Sequence, residues 1–197
     1  MARHTRRPLA PLVAALVLLA AACGRGPAEE ALKAAEASLD AARPAVEKYI
    51  PAEMKALTDA ASAARAQLKR GNYKAALAAA ASLEAKAKVA SEAARKKKDE
   101  LQASFAALEK TLPGEVQALR KRLAALARGD ASSADMDQET VETARANLDR
   151  LAKSWDEARQ KLGRDEVVQA VEQAEKVKTQ LEEMARAFLP AKRASAR

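Results

Sequence analysis

The sequence has very little of the chemistry on which most enzymes and metal proteins depend. Its 197 residues include one histidine, His4, and one cysteine, Cys23. One cysteine cannot form a disulfide within the chain, which excludes a disulfide scaffold. Because His4 lies at the extreme N-terminus, the remaining chain lacks the Ser–His, Cys–His and zinc-ligand sets. We therefore predict a protein that is not an enzyme and holds no metal and no cofactor.

Residues that build β-structure and tight turns are also scarce. The chain has six glycines, seven prolines and only five aromatic residues. A β-sandwich or barrel needs many β-branched and aromatic positions and frequent turns, so both are excluded. In their place the chain has 53 alanines, and charged residues make up 31% of it. This composition is typical of long helices and coiled coils.

Apolar residues recur in alternating steps of three and four from residue 32 onward. The clearest stripe is Val141, Ala144, Leu148, Leu151, Trp155, Ala158 and Leu162. Such spacing forms the contact face of helices packed side by side. All five aromatic residues fall on such stripes and are interpreted as core. We predict an all-α fold, an elongated bundle of about six helices in antiparallel, coiled-coil-like hairpins.

Prolines, glycines and one aspartate mark the expected helix ends. Pro27, Pro51 and Pro113 suit the first turn of a helix, and Pro44 predicts a kink. The remaining signals are Gly71 and Gly163 as left-handed residues after helices and Asp137 as an N-cap. The third helix is expected to end near residue 112, and Pro113 to begin a fourth.

Two internal similarities suggest a repeated architecture within a helical-hairpin domain over residues 28–190. Residues 50–57 match residues 112–119 at an offset of 62. Residues around 64–83 match those around 158–177 at an offset of 94. We interpret the second match as two hairpins, near 54–86 and 148–180. Chance similarity between alanine-rich helices remains the alternative.

The N-terminus has the features of a secretory signal peptide. Three arginines at positions 3, 6 and 7 precede an apolar stretch of 14 residues, Leu9–Ala22. A membrane-spanning helix needs roughly 20 residues. The short apolar region and Pro11 therefore favour a cleaved signal over residues 1–22 rather than an uncleaved anchor.

The segment Leu19-Ala20-Ala21-Ala22-Cys23 resembles the lipobox of bacterial lipoproteins. The resemblance implies cleavage before Cys23, a diacylglyceryl group on its thiol and a fatty acid such as palmitate on its amine. Residues 23–27 are then a short lipidated tether. In that class, glycine rather than aspartate after the cysteine favours the outer membrane, so Gly24 predicts an outer-membrane protein facing the periplasm. A plain signal peptide followed by an ordinary cysteine is the alternative.

The segment 69–77, Lys-Arg-Gly-Asn-Tyr-Lys-Ala-Ala-Leu, resembles the turn of a tetratricopeptide repeat. The resemblance implies a helical hairpin in which Gly71 allows the tight turn and Tyr73 packs between the two helices. The match covers one unit only, and the second hairpin lacks the Gly-x-Tyr. It therefore implies a hairpin geometry and no peptide-binding groove.

Basic residues are concentrated in two places. Arg95, Lys96, Lys97 and Lys98 form the densest run, and a basic tail over residues 191–197 contains Lys192 and Arg193. These six are the candidates for contact with a polyanion, although a solvated helix face is the favoured interpretation of the run.

The leading hypothesis for function is a lipid-anchored, non-enzymatic helical interaction or scaffold module of the cell envelope. We expect a membrane attachment through Cys23 and a protein partner, with no nucleic acid and no small-molecule substrate. A binding module for anionic envelope lipids or polymers is the alternative.

Overall fold

The computed structural model describes the backbone of residues 10–130 and 137–189, and side chains from residue 24 onward within those ranges. These residues form five helices and no strand. The helices are α1 (Ala10–Tyr49), α2 (Pro51–Lys69), α3 (Tyr73–Ala127), α4 (Gln138–Gly163) and α5 (Val167–Phe188). The prediction of an all-α fold of packed helices is confirmed.

The described ranges hold five helices rather than the predicted six, because α3 continues through Pro113. The prediction that Pro113 begins a helix is wrong. Proline in a helix interior removes one backbone hydrogen bond, to the carbonyl of residue 109 here. Both Pro113 and Glu109 are exposed, so water can solvate that carbonyl. Leu112 and Val116 are buried on either side of the proline, and this packing favours one continuous helix.

Prolines act differently in α1 and α2. Pro51 occupies the first turn of α2, as predicted. Pro27 and Pro44 both lie inside α1, so the prediction that Pro27 begins a helix is wrong. Residues 24–27, predicted as a tether, are helical. The backbone at Cys23 is therefore directly continuous with the helix that enters the core.

The chain divides into two compact units, Met1–Lys97 and Lys98–Arg197, here called unit 1 and unit 2. Residues 28–190 are predicted as one domain, whereas the boundary between the two units lies within α3. In unit 1 a core is formed by residues from α1, α2 and the first part of α3. Its members are largely alanines with a few larger side chains, among them Leu32, Leu39, Val46, Met54, Leu57 and Leu83.

Unit 2 has larger buried side chains. Phe105 is fully buried, and its ring stacks on that of Trp155 with a centroid distance of 5.1 Å. Eight of the twelve buried residues of α4 and α5 are larger than alanine: Val141, Leu148, Leu151, Trp155, Val167, Val171, Val177 and Leu181. Because apolar area removed from water stabilises a fold, unit 2 gains more per residue than unit 1.

One position of the apolar stripe along α3 is wrongly predicted as buried. The spacing that begins at Tyr73 places Leu77 on this stripe with Ala80, but 42% of Leu77 is exposed. Ala76 is buried in its place, whereas Ala80 is buried as the spacing predicts. This part of α3 has alanines on nearly every side, so its own sequence specifies the rotation of the helix weakly.

Two three-residue turns join the paired helices. One connects Lys69 to Tyr73 and the other connects Gly163 to Val167, 94 residues later. This separation equals the offset of the internal match between residues around 64–83 and residues around 158–177. That the two hairpins are repeats of one another stays a prediction. Gly71 has a φ of 77°, as expected of a left-handed position. In the second turn the left-handed residue is Asp165, with a φ of 61°, so that role was wrongly predicted for Gly163.

Asp137 caps the N-terminus of α4, which confirms the prediction. A carboxylate oxygen of Asp137 accepts a hydrogen bond from the backbone N–H of Thr140 at 2.7 Å. Hydrogen bonds from the side chain and backbone of Thr140 lower the pKa of Asp137 from its ordinary value of 3.8. The ionised form is thus the one that the folded helix end stabilises.

We expect Asp137→Ala to increase hydrogen exchange in the first turn of α4 at neutral pH. Because the folded pKa is lowered, the charged cap contributes stability above pH 3.8 and loses it as pH falls through the lower folded value. The difference between parent and variant should therefore shrink in acid. Asp137→Asn is the matched control, since it keeps an acceptor without the titration. An Ala variant with unchanged exchange at neutral pH would contradict this assignment.

Candidate interaction surfaces

An open apolar groove lies in unit 1 between α2 and α3. Its volume is about 560 Å³. Leu57 and Ala90 are buried in its floor, and Ala56, Ala85 and Ala93 line it. Small side chains at these positions leave room for another helix to approach closely. We call this surface the α2–α3 groove.

Val89 is the most exposed large apolar side chain of the α2–α3 groove. It is 66% exposed and lies between Ala85 and Ala93, at steps of four residues along α3. The groove also contains one residue of each charge, Glu53 on α2 and Lys86 on α3. This surface was not predicted, because Val89 lies off the buried stripe. The four-residue spacing of Ala85, Val89 and Ala93 on the solvent side is the sequence signal that could have indicated it.

Grooves in unit 2 have a different character. The one between α4 and α5 has a volume of about 340 Å³ and is lined by Arg150 and Glu183 as well as by apolar residues. A second, of about 320 Å³, includes Asp137 and Glu139. These polar linings are better suited to water than to an apolar helix. The α2–α3 groove is therefore the stronger candidate for a protein partner.

Gly24 in α1 lies against Tyr73, the residue that directly follows the turn between α2 and α3. A Cβ atom placed on Gly24 would lie 3.3 Å from Cβ of Tyr73, the first residue of α3. Glycine at position 24 permits this close approach. Tyr73 was predicted to pack between α2 and α3, and it is half-buried beside α1. This close packing explains why a glycine suits position 24, independently of any role in membrane sorting.

Basic side chains surround this end of unit 1. Lys69 and Arg70 are exposed at the end of α2, and Lys74 is exposed in the first turn of α3. On α1, Arg25 forms an ion pair with Glu29 at 2.8 Å. These residues are not among the predicted contact sites, because nothing in the sequence indicates that Gly24 packs against Tyr73.

The predicted basic run, Arg95 to Lys98, does not share one face of α3. Consecutive helical residues are about 100° apart, so four of them point in different directions. Arg95, Lys96 and Lys97 are exposed, whereas Nζ of Lys98 forms an ion pair with Asp165 at 2.7 Å. Lys192 and Arg193 lie outside the described residues.

The predicted lipidation site and the expectations about membrane spans and metal sites can be compared only with the residues that the structure describes. The backbone of Cys23 belongs to α1, and its side chain is not among those described. Over the residues that the structure describes, no helix combines the length and apolar character that crossing a membrane requires. Those same residues contain no cluster of three or more histidine, cysteine or acidic side chains able to hold a metal ion.

Comparisons with known proteins yielded no match to a family model, to a curated protein or to a solved structure.

Proposed function

We propose that the protein is a lipid-anchored helical interaction module of a bacterial cell envelope, without catalytic activity. Cys23 would hold the chain at the membrane, and the α2–α3 groove would receive an amphipathic helix of an envelope partner. The observation that carries the partner-binding part is the exposure of Val89 in a groove in which four of the eight lining residues are alanines.

The groove is suited to helix binding for two reasons. Alanine side chains allow helix axes to approach closely, and the buried floor at Leu57 and Ala90 supplies apolar area for the partner. Apolar helix faces that dock in grooves present side chains at steps of three and four residues. Glu53 and Lys86 on the two walls can orient such a helix through charge, while contributing little to its affinity.

Site-specific photo-crosslinking in intact cells tests this function. With a photoreactive amino acid at Val89, we expect one discrete crosslinked product, because this side chain faces the bound helix. Ala93→Arg should reduce the product strongly, since a long charged side chain would occupy the groove. The product is read by denaturing electrophoresis and mass spectrometry.

The matched control is the same photoreactive residue at Leu77, which is also exposed on α3 of unit 1. Leu77 does not line the α2–α3 groove, so it should give little of that product. Equal crosslinking at Leu77 and Val89, or none at Val89, would contradict the proposal. A crosslinked product that joins two copies of this chain would identify the docked helix as part of a second copy.

Binding of anionic polymers through the basic run is the less favoured function. The four residues from Arg95 to Lys98 are distributed around α3, and Lys98 is already paired with Asp165. An extended polyanion would therefore contact only some of them at once.

A further inference from the structure

We propose that the end of unit 1 that carries the α2–α3 turn binds anionic phospholipid headgroups. The binding residues are Lys69, Arg70 and Lys74, here called the basic tip. This inference rests on the proposed function in one respect, the lipid anchor at Cys23. It adds a second, electrostatic contact between the protein and the same membrane.

The packing of Gly24 places the basic tip beside the anchor. A Cβ on Gly24 would lie 3.3 Å from Cβ of Tyr73. Tyr73 directly follows the turn after Lys69 and directly precedes Lys74. Cys23 precedes Gly24 on α1, so a lipid on Cys23 holds the membrane surface at this end of unit 1.

The charges of the basic tip are available to a ligand. Lys69, Arg70 and Lys74 are exposed, and within the part of the chain that the structure describes their side chains form no ion pair. Arg25 lies nearby, but its charge is offset by Glu29 at 2.8 Å. Three exposed positive charges, unpaired among the described residues, therefore lie near the turn whose following residue, Tyr73, packs against Gly24.

Distance distinguishes the basic tip from the basic run farther along α3. Arg95 lies 21 residues after Lys74 in the same helix, which corresponds to roughly 30 Å. Electrostatic attraction to a charged membrane falls off over a Debye length, about 8–10 Å at physiological salt. Of these two basic groups, the basic tip is the one near Gly24 and hence the one placed to supplement the anchor, as polybasic segments supplement lipid chains in peripheral proteins.

Lysine footprinting of the lipid-bearing protein in reconstituted bilayers tests this inference. Bilayers of phosphatidylcholine are compared with bilayers that also contain phosphatidylglycerol. We expect amine labelling of Lys69 and Lys74 to fall at least about threefold on the anionic bilayer and to recover at high salt. Labelling of Lys86 and Lys96, which lie farther along α3, should not change.

A matched pair of variants separates local charge from net charge. Arg70→Gln should weaken the protection of Lys69 and Lys74, whereas Arg95→Gln removes the same charge elsewhere in unit 1 and should leave it intact. Equal effects of the two variants would overturn the inference, as would equal labelling on both bilayers. Protection of Lys96 instead of Lys69 would assign the contact to the basic run.

The anchor is verified on the same samples by mass spectrometry of the N-terminal peptide. A lipid-bearing protein whose Lys69 and Lys74 remain equally reactive on both bilayers contradicts this inference and leaves the proposed anchor intact. A protein without fatty acid on Cys23 contradicts the proposed anchor. It then also contradicts this inference, because no lipid would hold the basic tip at the membrane.

Discussion

Phe105→Ala is expected to lower the free energy of unfolding of unit 2 by about 3–5 kcal/mol. Phe105 is fully buried, and its ring stacks on Trp155 at 5.1 Å with an angle of 18° between the ring planes. The substitution removes the apolar area of the ring and leaves a cavity beside Trp155. Trp155 is the only tryptophan of the chain, so its fluorescence during denaturant unfolding reports on unit 2 directly.

Leu77→Ala is the matched control for that experiment. Leu77 is 42% exposed, lies on the same helix and belongs to unit 1, so the transition reported by Trp155 should change by less than about 0.5 kcal/mol. A Phe105→Ala protein with the parent's unfolding midpoint and slope would show that the ring contact contributes little. Circular dichroism establishes whether unit 1 retains its helices when unit 2 is destabilised.

Cys23→Ala is expected to abolish incorporation of labelled fatty acid and to remove the lipid anchor from the protein. The resemblance to a lipobox assigns the lipid to the thiol and amine of this residue, and the chain has no other cysteine. The measurement is metabolic labelling followed by fractionation of membranes. Ala20→Leu is the control, because leucine is commoner at that lipobox position and labelling should persist. Labelling that survives Cys23→Ala would refute the lipobox interpretation.

Burial in α4 and α5 could be predicted well because their large apolar side chains recur at steps of three and four residues, with polar residues between them. Val141, Leu148, Leu151 and Trp155 are all buried as expected. Rotating such a helix would expose several large side chains at once, so its own sequence specifies the face that it buries. The N-cap at Asp137 was predictable for a similarly local reason, since its hydrogen bond reaches only to Thr140.

Burial in the first part of α3 was predicted only in part. The spacing of three and four residues correctly marks Ala80, Ala87, Ala90 and Ala94 as buried, but it also marks Leu77, which is exposed while Ala76 is buried. Alanines differ little from one side of this helix to the other, so the choice between Ala76 and Leu77 depends on the helices packed against it. The α2–α3 groove also depends on tertiary structure, because its walls are formed by residues of two helices. Pro113 also shows tertiary packing prevailing over a local signal. The proline predicts a helix boundary, but the burial of Leu112 and Val116 on either side of it favours one continuous α3.

The sequence by itself determined the all-α class, the contact faces of the helices with large apolar residues and the lipobox-like segment that motivates the anchor. Each of these depends on composition or on spacing over a few residues. Only the tertiary structure decided that α2 and α3 form an open groove at Val89 and that Gly24 lies against Tyr73, close in sequence to Lys69, Arg70 and Lys74. The approach of Gly24 to Tyr73 joins positions 49 residues apart. Such proximity results from the packing of whole helices, which no local pattern in the chain encodes.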